Sequence, residues 1–196
     1  MQRTAIVVGA LLLGMCLLSS AQAQQTRPWW VGIEVGEGQL QLTSDQQQGT
    51  RHPTFAFGIV GGHMIGERTR IGMQVNGWLL QASNFNDPTV GESVSNVMFL
   101  MDAFPVRKSP LFLRGGVGLA MYMNNRPTGT NGNGLGWTAG VGYEIPLTRN
   151  VGLAPIVDYA SGHLGDVRNV TALATGRQYS VIEFKAALAF HFGKIK

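Results

Sequence analysis

Residues 137–160 read WTAGVGYEIPLTRNVGLAPIVDYA, and the parity of this stretch decides the fold. Its odd positions carry Trp137, Ala139, Val141, Tyr143, Ile145 and Leu147, while its even positions carry Thr138, Gly140, Gly142, Glu144 and Pro146. After a short polar break the alternation resumes. Val151, Leu153, Pro155, Val157 and Tyr159 then stand against Gly152, Ala154, Ile156, Asp158 and Ala160. Successive side chains of a β-strand point to opposite faces. Two adjoining strands therefore each set an apolar face against a face of glycines and single carboxylates.

Working outward, the same period-two alternation recurs in eight runs, at about 29–42, 54–65, 68–82, 93–104, 111–124, 134–146, 150–162 and 178–192. The connections alternate in length. Short ones are Gly66-Glu67, PVRKSP (105–110) and LTRN (147–150); longer polar ones are SDQQQGTRHP (44–53), NFNDPTVGE (84–92), NNRPTGTNGN (124–133) and HLGDVRNVTALATGR (163–177). An even number of strands puts both termini at the short-turn end. No run of 18 apolar residues follows residue 23, so nothing there reads as a spanning helix.

The composition agrees with a surface that is not all wet. Only 13% of the 196 residues are charged, about half the usual share, and 27 are glycine. The N-terminus is set apart. Arg3, an apolar run at 5–18 and the small-residue pattern Ala21-Gln22-Ala23 predict a secretory signal peptide, residues 1–23, cut before Gln24. Cys16, the single cysteine, leaves with it, which excludes a disulfide scaffold, a zinc–thiolate site and thiol catalysis in residues 24–196. The net charge of +4 is mild and scattered, so no nucleic-acid partner is expected.

The position of the charges separates a membrane barrel from a soluble one. In VIEFKAALAFHF, Ile182, Phe184, Ala186, Leu188, Phe190 and Phe192 share one face, opposite Val181, Glu183, Lys185, Ala187, Ala189 and His191. Leu113, Val117, Leu119, Met121 and Met123 likewise oppose Arg114, Gly116, Gly118, Ala120 and Tyr122. A soluble up-and-down barrel would carry its apolar face inside. In lipid, only helices and closed barrels satisfy every backbone group, and short turns alternating with long loops mark the outer-membrane kind. The expected fold is all-β: one eight-stranded antiparallel up-and-down transmembrane β-barrel over 24–196. His63 breaks the pattern by sharing parity with Phe55, Phe57 and Ile59, so either a bulge at Gly61-Gly62 or an interfacial position is expected.

The export segment, the eight runs, the GVGYEIPLTRNVGL hairpin and the closing aromatic strand together resemble the small outer-membrane β-barrel family of OmpA/OmpX type. The resemblance covers essentially all of 24–196. It implies the outer membrane of a Gram-negative-type bacterium, membrane lipids and lipopolysaccharide as surroundings, the barrel-assembly machinery as a partner during insertion, and a monomer. Chains of this family often end on an aromatic residue, whereas here Gly193, Lys194, Ile195 and Lys196 follow Phe192.

An eight-stranded barrel is just wide enough to be filled by side chains. Parity sends Glu34, Arg70, Asp102, Arg114, Glu144, Asp158, Glu183 and Lys185 into the lumen, with Trp78 and Tyr122 as bulk. Folding each hairpin about its loop centre sets residue 70 near 104, 102 near 113 and 114 near 143. Arg70, Asp102, Arg114 and Glu144 then form one group of alternating sign. Asp158, Glu183 and Lys185 form a second, with Glu34 reaching Lys185 across the closing seam. Pairing is required because unpaired buried charge costs several kcal/mol. The network reads as a charge plug or, alternatively, as a narrow gated ion path or a proton site.

Hydrolytic chemistry would need a hydroxyl beside a histidine, oriented by a carboxylate. Asp158, Ser161 and His163 in VDYASGHLGD are the one compact set, giving an outer-leaflet lipid A or phospholipid hydrolase as an alternative. Lipid A deacylases carry a His-x-Ser pair on such a surface; here the order is reversed, and Asp158 has the opposite parity. His52, His63 and His191 are dispersed, so neither metal nor cofactor is expected. Trp29, Trp30, Phe104, Phe112, Phe190 and Phe192, with Phe55, Phe99, Trp137, Tyr159 and Tyr179, are read as interfacial girdles. The leading functional expectation is a non-enzymatic barrel that supports envelope integrity and meets a surface ligand through its long loops.

Overall fold

The computed structural model describes residues 27–45, 49–80, 92–106, 109–124, 131–168 and 173–193, with backbone alone at 166–168 and 173–175. The expected signal peptide and the tail at 194–196 lie outside the described residues.

The strands are β1 (Trp29–Thr43), β2 (Arg51–Ile65), β3 (Thr69–Leu80), β4 (Glu92–Ala103), β5 (Leu111–Asn124), β6 (Asn131–Tyr143), β7 (Ile145–Pro146), β8 (Val151–Arg168) and β9 (Leu173–Phe192). Every pairing is antiparallel and joins chain neighbours, save β6 with β8 and the seam, where β1 pairs β9, also antiparallel, from Trp29↔Phe192 to Thr43↔Gln178. β6 pairs β8 down to Gly142↔Ile156, and β7 resumes the same register at Ile145↔Leu153. Carried through the gap, that register sets Tyr143 opposite Pro155. Proline has no N–H to give the ladder, and the Glu144 N–H donates sideways to the Pro110 carbonyl at 3.0 Å. β6 and β7 are thus one wall strand, and the sheet is a closed eight-stranded barrel.

The runs read from parity fall on these strands, with one large correction. The loop expected at 163–177 is mostly strand. β8 and β9 continue pairing through His163↔Gln178 and Gly165↔Arg177 to Arg168↔Leu173, with irregularities around Gly165. Gly165 and Gly176 take φ of 69° and 64°, a conformation open to glycine at little cost. Such irregularities interrupt the period of two, so alternation faded there although pairing did not.

Outside, the wall is apolar: Ile59, Val75 and Val117 are 61%, 54% and 64% exposed, each at mid-strand. Glycines, single charges and apolar plugs fill the inside. At the end bearing the long connections, Leu40, Trp78, Val94, Tyr122, Leu164 and Tyr179 pack together. Trp30, Val60, Met98 and Leu100 form a second cluster, and Phe112, Ala154, Ile156 and Ala187 a third. The girdle reading is therefore corrected for four aromatics. Trp30, Phe112 and Tyr179 are buried, and Phe104 packs beside Phe112, their ring centroids 5.8 Å apart. Trp30 and Phe112 share parity with Glu34 and Arg114, which outweighs their place at strand ends.

No bulge forms at Gly61-Gly62; both β2 registers run through it unbroken. His63 keeps the outer parity near the short-turn end, edge-on to Trp29 at 4.6 Å between ring centroids.

Candidate functional site

The lumen charges come from seven strands and join into one chain of contacts. At the short-turn end Glu144 faces both the His191 imidazole and Arg70, each at 2.6 Å. The Arg70 guanidinium sits among three rings, 4.5 Å from Trp30 and 5.0 Å from Phe104 and Phe112, and reaches Asp102 at 3.0 Å. Arg114 grips the same carboxylate with two nitrogens, Nε to Oδ1 at 2.8 Å and Nη2 to Oδ2 at 3.2 Å. Its other nitrogen reaches Glu34 at 2.6 Å. Beyond Glu34, Lys185 Nζ lies 3.0 Å from Glu34, 2.8 Å from Asp158 and 3.0 Å from Glu183.

These nine residues, the eight expected from parity and His191, are all buried. The two groups expected from the sequence are joined by the Arg114–Glu34 contact. Glu144 does not meet Arg114 as expected. Arg114 lies across from Gly140, three residues from the anticipated 143, and Arg70 takes Glu144 instead. The short β4–β5 turn let loop-centre folding place Asp102 within one residue. The β5–β6 pairing runs further toward the long-connection end than the polar composition suggests, to Met123↔Asn131, because β6 begins at Asn131 inside the glycine- and asparagine-rich stretch.

Neutral donors complete the network. Gln74 Nε2 donates to Glu34 at 2.6 Å, Trp78 Nε1 to Glu183 at 2.6 Å, Asn76 Nδ2 to Glu183 at 3.3 Å, and Asn96 Nδ2 to the Tyr179 hydroxyl at 2.8 Å. The inward glycines supply the room. A Cβ on Gly140 would run into Asp158 Oδ1, one on Gly152 would stand 2.9 Å from Glu144 Oε1, and one on Gly36 would stand 2.8 Å from Lys185 Cγ. His191 and Gln74 carried a sequence mark, their parity with Lys185 and Arg70, but no charge pattern drew attention to them. Trp78→Phe keeps the bulk and removes one donor from a buried carboxylate. It is expected to cost about 2 kcal/mol, read as a lower urea midpoint for unfolding from detergent micelles.

The hydrolase set does not assemble. Asp158 points into the lumen beside Lys185, whereas Ser161 and His163 lie on the outer parity of β8. The Ser161 hydroxyl donates to the Tyr179 carbonyl at 3.0 Å, and no hydrogen bond among the described residues joins it to His163. Nor do the described residues gather three metal-ligating side chains in one place.

A closed eight-stranded wall, apolar outside and ion-paired inside, defines an outer-membrane β-barrel. The chain belongs to the outer membrane protein beta-barrel domain family, whose model matches residues 8–192. Solved structures share the fold at low identity. Neisserial surface protein A is 17% identical with a TM-score of 0.54, covering 84% of this chain and 97% of its own. Ail, the attachment invasion locus protein of Yersinia pestis, is 10% identical with a TM-score of 0.56, covering 83% and 99%. Ail has also been solved with the heparin analogue sucrose octasulfate. No curated protein matches the sequence.

Proposed function

We propose that this protein is a non-enzymatic outer-membrane barrel that contributes to envelope integrity and meets the outside through its long connections. The observation carrying the reading is the filled lumen, in which Glu34, Asp102, Arg114 and Lys185 are each held by two or more partners between apolar clusters. An ion crossing it would have to break several buried pairs at once, each break costing about 3–5 kcal/mol. That argues against the narrow ion path. The split between Asp158 and the Ser161–His163 face argues against the hydrolase.

In this reading residues 1–23 are removed on export and the short-turn end faces the periplasm. Membrane lipids and lipopolysaccharide surround a monomer, and Phe190 and Phe192 of β9 present the closing strand to the assembly machinery. The β8–β9 hairpin has the longest strands among the described residues, 18 and 20 residues, and is the part proposed to meet a surface ligand.

The test is complementation of a deletion strain, scoring dye and detergent entry together with the lipid A acyl profile by mass spectrometry. The expected result is a leaky envelope restored equally by wild type and by Ser161→Ala/His163→Ala, with an unchanged lipid A profile throughout. An acyl chain removed by wild type and kept with the double variant would make the protein an enzyme. A deletion strain with an intact barrier would overturn the integrity role.

A further inference from the structure

The charges outside the lumen are not spread evenly between the two ends of the barrel. The charged side chains described at the long-connection end balance, Asp45 and Glu92 standing against Arg51 and Arg177. At the short-turn end Arg27, Arg68 and Arg149 stand against Glu67. Arg107 and Lys108 after β4, and Lys194 and Lys196 after β9, have the same positive sign in the sequence. These cations are scattered along the chain, and the topology gathers them.

Arg27 precedes β1, Arg68 sits in the β2–β3 turn and Arg149 in the β7–β8 turn. The sheet order β3-β2-β1-β9-β8-β7 makes these positions successive along one arc of the rim. Their backbones are held in place. The Met64 N–H donates to the carbonyl of Pro28, beside Arg27, at 2.8 Å, and the Phe104 N–H donates to the Arg68 carbonyl at 2.8 Å. The Thr148 hydroxyl accepts from the Val151 N–H at 3.1 Å across the turn that carries Arg149. Arg27 Nη1 also donates to the Gly193 carbonyl at 3.4 Å, across the β1–β9 seam.

Each arginine also lies within three residues of a half-exposed apolar side chain: Trp29 beyond Arg27, Ile65 before Arg68 and Leu147 before Arg149. Trp29, edge-on to His63, marks the level at which aromatic rings meet headgroups. The cations therefore stand where the acyl-facing wall gives way to the polar boundary of the membrane. A guanidinium keeps its charge at any working pH and offers phosphate a planar fork of donors. We propose that this arc binds the headgroups of anionic phospholipids and gathers them on the side of the barrel that holds the seam. The ligand class follows from the sign of the arc, from the match of guanidinium to phosphate and from the adjoining apolar wall. The proposal rests on the lipid-facing wall and is independent of the surface ligand proposed above.

The test reads lipid choice at Trp29. In Trp137→Phe the other tryptophans, Trp30 and Trp78, are buried in the lumen, which leaves Trp29 to meet lipid. The folded protein is placed in phosphatidylcholine bilayers containing brominated phosphatidylglycerol, and in the converse mixture. Quenching of its fluorescence gives the relative affinity of the two lipids at this rim. Phosphatidylglycerol is expected to be preferred about fivefold, and the preference to fall to parity in about 0.5 M salt. It should also fall to parity in Arg27→Gln/Arg68→Gln/Arg149→Gln. The salt arm needs no substitution in the rim and decides the matter if the triple variant does not fold. Equal affinity before any rim substitution, or a preference that survives salt or the triple variant, would overturn the proposal. So would retention on purified peptidoglycan that the triple variant loses, without any lipid preference, which would give the arc to a cell-wall partner. Only phospholipid is present in these bilayers, so failure here leaves the surface reading untouched.

Discussion

Arg114→Ala is expected to lower folding stability by about 3–5 kcal/mol, the cost of removing one partner from a buried ion pair. Arg114 is the central link of the lumen chain: it holds both oxygens of Asp102 and one of Glu34, all within buried side chains. Truncation leaves two carboxylates short of a cation in a space water does not readily fill. Arg70 and Lys185 cannot take over, because each already serves at least two acids. The check is urea unfolding from micelles, with Arg149→Ala as the exposed control, where a change within about 0.5 kcal/mol is expected. Equal effects at both positions would mean that the lumen charges are solvated and that the barrel is not packed as described.

Val75→Arg carries the second large effect. Val75 lies at mid-strand on the outer wall, 54% exposed, between Ile59 of β2 and Val97 of β4. On a wet surface an arginine there would cost almost nothing. At the centre of a lipid-facing band it is expected to cost about 2–4 kcal/mol, measured as loss of folding into phospholipid vesicles. Leu147→Arg in the turn after β7, equally exposed but at the end of the wall, should fold as wild type does. The contrast between the two positions maps the lipid band, which a uniform loss or a uniform tolerance would not.

Much of the wall was legible because a strand has a period of two and the outer parity is mostly apolar, Glu37 of β1 between Phe55 and Phe184 being an exception. One reading of 137–160 separates Val141 and Val157 from Glu144 and Asp158, and every later strand repeats it. The lumen residues follow the same rule, and so do most of their groupings, Arg70 with Asp102 and Lys185 with Glu34, Asp158 and Glu183 among them; the partner of Glu144 does not. Partner choice depends on register to within one residue. The short turn between β4 and β5 set that register well, whereas the longer connection between β5 and β6 misplaced it and set Glu144 against Arg114; the Arg70–Glu144 and Arg114–Glu34 contacts cross the lumen between strands that do not pair, which neighbour register does not describe. The aromatics at strand ends misled for a different reason. Trp30 and Phe112 occupy the height of an interfacial girdle, but their parity turns them inward, where they enclose Arg70. The extended β8–β9 hairpin was lost to glycines at positive φ, which interrupt the alternation while the pairing continues past them.

The measurement that bears most directly on the barrel itself is electrophoretic mobility in dodecyl sulfate with and without boiling, after folding into micelles. A closed barrel held by an unbroken ring of strands and a paired lumen resists the detergent at room temperature, so the unboiled protein should run as a compact, faster band and the boiled protein at its full mass. A single mobility under both conditions, in a sample whose circular dichroism shows β-structure before the detergent is added, would contradict the closed barrel described here.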